Sequence, residues 1–445
     1  MLTSSTSQNI KDTATNQDNS FWKNIRNIIS DVTKEYDKLW IKRNRGINSK
    51  FLLDFIFNII VNGDKGYAIT LGEMWNNYLL KDVTPPQDKI FSQSSVCAAR
   101  QKLSENIFKD LNHKLILEFE KSRDSLFMDN HRIFAVDGSK LNLPKELEDK
   151  DYKVNNKGAY YPQGLLSCIY NLTTYIIHDF CLINKIDERS CAKEHLEILQ
   201  ENDIVIFDRG YFSYLLLHQC YEKKVHPIFR LQGNLGNKEI MEFIDSNNTD
   251  KVIEYNPSVT VKHEIKKRGI KIDCKPISLR LIKYKINDET YIIGTTLTDS
   301  NKYQPDLFKE LYHKRWNIEE LYKISKIITA LEIFHSKTER GVKQEIYAHF
   351  VLINISRFFE SQASKKHQIN TKKYKFNFKN SLATIKNNIQ ELLFAKLEVF
   401  LGKIPMILNS IARIKQKIRP DRKYFRVSYR PRNRWSAIRS VGCGA

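Results

Sequence analysis

The sequence predicts an α/β fold: a sheet core interrupted by an all-β insertion, with helical regions at either end. Three textures carry that expectation. Residues 21–127 repeat their apolar side chains at helical spacing, with Trp22, Ile25, Ile28 and Ile29 as one stripe. From Arg132 onward, short continuous apolar runs alternate with helical patterns, the habit of strands buried on both faces of a sheet. Between Gln232 and Ser300, Gly/Asn/Asp turns separate β-rich runs.

Taken in order, residues 1–20 are rich in Ser, Thr, Asn, Gln and Asp and read as a disordered tail. The helical region 21–127 breaks at Pro85-Pro86, and residues 92–95 then offer a helix start before Val96. Two short helices across a turn there suit a loose helix-turn-helix, and a plain bundle equally well. Residues 128–231 form the first part of the core. An apolar run, 132–136, stops at Asp137-Gly138; residues 165–170 and 174–183 make a hairpin; 189–200 is helical. A second apolar strand, 203–207, stops at Asp208, and a helix at 211–221 leads to a third strand at 227–231. The insertion, 232–300, carries β-rich runs at 251–255, 270–272, 277–286 and 291–297. Residues 301–335 return to the core with one long helix from Leu307 to about Phe334. Further helices follow at 341–359 and 381–401 within 336–410. The end, 411–445, is a basic tail in which Tyr424, Phe425, Tyr429 and Trp435 interleave with cations.

Charge narrows the partners. Lys and Arg total 72 against 51 Asp and Glu in 445 residues, a formal net charge of +21. Such a surplus favours a polyanion. A membrane is disfavoured, because the longest apolar stretch, 51–61, is interrupted by Asp54 and falls far short of the roughly 20 residues a spanning helix needs. Seven cysteines, an odd number and none in CxxC spacing, read as free thiols in a reducing compartment rather than a zinc site.

The chemistry concentrates in three carboxylates. Ligands in α/β sheets collect beyond the carboxyl ends of strands. Asp137 and Asp208 each stand one residue past such an end, and Gly138 and Gly210 follow them. Either aspartate alone is as well explained as a cap of the next turn or helix. If the two strands are neighbours, however, the carboxylates converge, and a hard divalent cation relieves their repulsion. On the long helix, Tyr312, Arg315, Glu319 and Lys326 fall at about 0°, 300°, 340° and 320° at 100° per residue, one narrow stripe. Leu307, Leu311, Ile318, Leu321 and Ile328 take the adjoining flank. Glu320 points elsewhere, so Glu319 is the third carboxylate. The bland alternative is a solvated face with an Arg315–Glu319 helix pair. Three converging carboxylates suit two-metal phosphoryl transfer, with Arg315 and Lys326 on non-scissile phosphates and Tyr312 on a phosphate or base. Trp316 beside the stripe either packs in the core or stacks on a base.

Those residues resemble a known family. Tyr312, Arg315, Glu319 and Lys326 stand in the Y-x2-R-x3-E-x6-K array of the cut-and-paste insertion-sequence transposases of the insertion-sequence-four type. Asp137-Gly-Ser139 and Asp208-Arg-Gly-Tyr211 resemble the family's two aspartate motifs, and the segment 331–349, containing Ser336-Lys-Thr-Glu-Arg-Gly341, resembles the stretch after its catalytic helix. The resemblance implies a DDE transposase with a ribonuclease H-like mixed-sheet catalytic core, in which the insertion lies between the fifth strand and the glutamate helix. It implies Asp137, Asp208 and Glu319 as catalytic metal ligands for two Mg2+ ions, with Mn2+ able to substitute. Tyr312, Arg315, Lys326, Trp316 and Arg209 are then the expected DNA contacts. It further implies double-stranded DNA partners (transposon ends bound by the N-terminal helical region, and target DNA), excision commonly through hairpinned ends, and a homodimer in the DNA complex. No membrane partner is expected, and the location implied is the cytoplasm, at a bacterial-type nucleoid. A nuclease of the same fold and a catalytically silent DNA-binding descendant are the alternatives.

Overall fold

The computed structural model describes residues 4–419 apart from 42–45, 63–64, 122–130, 155–159, 186, 234–236, 287–288 and 328. Five helices come first: α1 (Ser4–Trp40), α2 (Ser49–Asn62), α3 (Tyr67–Leu80), α4 (Gln93–Lys102) and α5 (Asn106–Lys121). α1 begins at Ser4 and so takes in residues 4–20 of the stretch expected as a disordered tail. Once Phe21, Trp22 and Ile25 anchor the helix in the core, each further N-terminal turn extends an existing helix rather than nucleating one. α4 starts where the sequence placed it: the Ser92 hydroxyl accepts from Ser95 N at 3.2 Å.

The core opens with β1 (Ile133–Asn142), β2 (Gln163–Asn171) and β3 (Ile177–Ile183). It continues through α6 (Glu188–His195), β4 (Ile204–Phe207), α7 (Tyr214–Glu222) and β5 (His226–Arg230). β1 runs antiparallel to β2, and β2 to β3; β1 runs parallel to β4, and β4 to β5. Spatial order β3-β2-β1-β4-β5 is the ribonuclease H-like mixed sheet. Alternate residues of the central strands serve opposite layers. Ile133, Ala135, Ile204 and Ile206 face the main helical layer, while Phe134, Val136, Val205 and Phe207 face α6 and α7.

The next segment corrects an expectation. It holds α8 (Lys238–Asp245), β6 (Asp250–Tyr255), α9 (Val259–Lys267), β7 (Ile277–Ile286) and β8 (Glu289–Thr295). The insertion is therefore mixed rather than all-β, and 270–272 is not a strand. Ile240 and Phe243, three residues apart and both buried, give α8 its apolar face, and the Asn237 side chain caps it by accepting from Ile240 N. Nor do the strands form a separate sheet. β8 pairs antiparallel with β5 at Ile228↔Thr295, so β8, β7 and β6 extend the core sheet to eight strands.

The expected long helix is two, α10 (Pro305–Lys314) and α11 (Trp316–Ile327), jointed at Arg315. There Arg315 N donates to the Tyr312 carbonyl and Ile318 N to that of Arg315, the tighter three-residue spacing. α12 (Glu339–Lys366) follows, then β9 (Tyr374–Phe376), α13 (Phe378–Phe394), α14 (Leu397–Arg413) and β10 (Lys415–Lys417), which pairs with β9. The single helix expected at 381–401 is broken at Ala395, between α13 and α14. α12 is apolar on most sides, burying Val342, Ile346, Phe350, Ile353 and Phe358 at the centre of the helical layer. Arg100 of α4 joins that centre, donating to Glu345 at 2.7 Å and Gln344 at 2.9 Å. Tyr424, Phe425, Tyr429 and Trp435 of the basic tail lie outside the described residues. Those described include no helix long and apolar enough to cross a membrane, and their six cysteines are free.

Candidate active site

Parallel pairing of β1 with β4 ends at Val136↔Phe207, so Asp137 and Asp208 come next, side by side. Asp137 does not end its strand, as the apolar run suggested. β1 continues to Asn142 against β2, because the polar residues after Asp137 still find backbone partners there. Gly138 N donates to Asp137 Oδ1 at 2.9 Å. Tyr322 of α11 donates its hydroxyl to the Asp137 carbonyl at 2.7 Å and lies 3.2 Å from that of Leu166. On α10, the Tyr312 hydroxyl donates to Asp208 Oδ1 at 2.8 Å.

Arg315 lies at the centre. Its guanidinium is 2.7 Å from Glu319, 3.7 Å from Asp137 and 3.9 Å from Asp208. The residue is 4% exposed, so its charge is screened little by water. Burial drives the Asp137 carboxyl up to about 7; Arg315 and the Gly138 N–H oppose that rise, and the charges of Glu188 and Asp208 add to it. At Asp208 burial acts in the same sense, but Arg315, the Arg209 N–H and the Tyr312 hydroxyl outweigh it and hold the carboxyl below its ordinary value. Burial and the Asp208 charge keep Tyr312 protonated, hence a donor.

The fold thus brings Asp137, Asp208, Tyr312, Arg315 and Glu319 together from β1, β4, α10 and α11. Lys326 reaches β1 instead, donating to the Lys140 carbonyl at 2.6 Å. Trp316 is 54% exposed, which excludes the core alternative for it. Arg209 pairs at the surface with Glu289 at 3.4 Å, and Arg230 shares that carboxylate. Two residues were missed by the sequence reading. Tyr322 sits at about 280° on the same helical reckoning, next to the stripe, so its phase was a usable signal. Glu188, whose charge reaches Asp137, stands one residue before the helix expected at 189–200, and nothing in the sequence set it apart.

The donor set bears on a metal. Among the described residues no group of three His, Cys, Asp or Glu side chains stands at ligand spacing around a common point. Three hard carboxylates nonetheless surround one positive charge, and Arg315 supplies it. That environment fits a hard divalent cation.

A family model described as "Transposase DDE domain" matches residues 129–355, just over half of the chain. The chain belongs to this family. Among curated proteins, it is similar to "Transposase InsG for insertion sequence element IS4" of Escherichia coli (strain K12), 21% identical over 288 residues. That match spans 62% of this chain and 63% of the relative. Among solved structures, the cryo-EM structure of the piggyBac transposase synaptic complex with hairpin DNA is similar at a TM-score of 0.42 and 12% identity. It covers 91% of this chain and 86% of that one. The matched range of the DDE family takes in β1, β4 and α11, and with them all three carboxylates.

Proposed function

We propose that this chain is a transposase that binds the terminal repeats of an insertion sequence, cuts the DNA there and joins the freed end to a target. The observation that carries the reading is the convergence of Asp137, Asp208 and Glu319, from two strands and a helix, within 4 Å of a single guanidinium. Those three side chains would hold two Mg2+ ions, for which Mn2+ substitutes. Such ions, when bound, strengthen a water or 3′-hydroxyl as nucleophile and stabilise the leaving oxygen.

The remaining roles belong to the chain. Tyr312 orients the Asp208 carboxylate, while Tyr322 and the Gly138 N–H hold Asp137 in place. Arg315 offsets the carboxylate charge, and among the described residues its buried Nε has no hydrogen-bond partner. In this reading Lys326 and Arg209 would track the DNA backbone, and exposed Trp316 would stack on a base. The +21 net charge supports double-stranded DNA as the partner, and pairing two ends in one reaction calls for a homodimer on DNA.

The test is Mg2+-dependent cleavage and strand transfer on labelled terminal-repeat DNA. The wild type should cut and join, and Glu319→Gln should do neither while binding the same DNA nearly as tightly. Cutting by Glu319→Gln at the wild-type rate overturns the mechanism. Cut but unjoined product assigns a nuclease of this fold, and DNA bound but never cut by the wild type assigns a silent binding protein.

A further inference from the structure

We propose that Glu188 is a fourth carboxylate of the active site, presented by α6 toward the same divalent cations. The inference rests on the metal-dependent reading above.

Its geometry comes from two glycines. A Cβ on Gly138 would lie 3.4 Å from Glu188 Cγ and 3.5 Å from its Oε1; one on Gly210 would lie 3.7 Å from Oε2. The Glu188 carboxylate therefore sits between the residues that follow Asp137 and Asp208, within van der Waals reach of both turns. It is half-buried. Among the described residues it makes no hydrogen bond or salt bridge, although the charges of Asp208 and Lys140 reach it.

α6 has little freedom to carry it elsewhere. Asp187 caps the helix, accepting from Arg189 N and Ser190 N. Arg189 Nε donates to the Gly210 carbonyl at 2.9 Å, tying the start of α6 to the Asp208 turn. At the far end His195, fully buried, sits 2.9 Å from Asp179 and 3.0 Å from Ser167. Fully ionised, Asp137, Asp208, Glu319 and Glu188 would carry four negative charges against the single positive charge of Arg315. A half-buried carboxylate without a partner persists at a cost unless a cation joins it. That surplus is what a bound divalent ion would offset.

Calorimetric titration of the full chain with Mn2+ tests this without DNA or turnover, using wild type, Asp208→Asn, Glu188→Gln and Glu194→Gln, the last an exposed acid on the same helix. Glu188→Gln should weaken Mn2+ binding at least about tenfold, the scale of losing one supporting ligand group. Asp208→Asn should lose more, and Glu194→Gln nothing. In EDTA, the thermal midpoint of Glu188→Gln should equal or exceed that of the wild type, because an isosteric amide removes a like charge. Wild-type affinity in Glu188→Gln beside a loss in Asp208→Asn overturns the role of Glu188 and leaves the metal reading standing. A lowered midpoint in EDTA also overturns it, by showing that the charge is already partnered in the fold. No Mn2+ binding by the wild type, or none lost in Asp208→Asn, overturns the metal reading and this inference with it.

Discussion

Replacing Arg315 with Met keeps an apolar stem and removes the charge that Asp137, Asp208 and Glu319 share. Breaking a buried ion pair by deleting one partner costs about 3–5 kcal/mol. Here the side chains of Glu319 and Asp208 are each 39% exposed and that of Asp137 only 16%, so water compensates two of the three abandoned carboxylates. The loss for metal-free Arg315→Met should therefore be about 2–3 kcal/mol, toward and below the lower end of that range. With saturating Mn2+ the deficit should shrink below about 1 kcal/mol, because the carboxylates regain a cation. Mn2+ affinity itself should rise, since the ion no longer competes with a guanidinium for the same oxygens. Urea titrations followed by tryptophan fluorescence, in EDTA and in Mn2+, measure both deficits. A deficit of the same size with and without metal would refute the reasoning, and so would none in EDTA.

Protons and packing give further tests. The folded Asp137 carboxyl stands near 7 against an ordinary 3.8. Its contribution to the stability of the metal-free protein is fully present below pH 4 and lost as pH rises through 7; Asp137→Asn should flatten the urea-midpoint profile in that window, and an unchanged profile would count against the burial. Burial disfavours the charge on His195, but Asp179 and Cys181 outweigh it and raise the ring to about 9. That stability is whole below pH 6.5 and lost through pH 9, so the gap between wild type and Asp179→Asn should narrow across that range; a constant gap speaks against a charged pair. Tyr322→Phe leaves the Asp137 carbonyl without its 2.7 Å donor. A stability loss of about 1–2 kcal/mol with slower cleavage and unchanged DNA affinity is expected; unaltered cleavage would show that the hydroxyl does not position Asp137.

The parts of the site visible in the sequence are those set by local periodicity. Apolar runs stopping at Asp137 and Asp208 report strands buried on both faces. Helical phase put Tyr312, Arg315 and Glu319 on one stripe and set Glu320 aside, because 3.6 residues per turn is a covalent regularity. The expectation failed where distant partners decide. β1 runs past Asp137 because β2 offers it hydrogen bonds as far as Asn142. The insertion strands joined the core sheet because the edge of β5 accepts β8. Polar residues 4–20 stay helical because the apolar stripe that follows them is anchored.

By itself, then, the sequence determined which carboxylates follow buried apolar runs, which helix face carries the third, and that a basic surplus seeks a polyanion. Tertiary structure alone decided that Arg315 stands among the three acids, that Tyr312 and Tyr322 hold the aspartates, and that Glu188 of α6 lies between the Asp137 and Asp208 turns. The reason is the range of the forces. Periodicity and capping act within a few residues of chain, whereas charge compensation and hydrogen bonding act through space. Which charges share a space is settled only when β1, β4, α6 and α11 have packed.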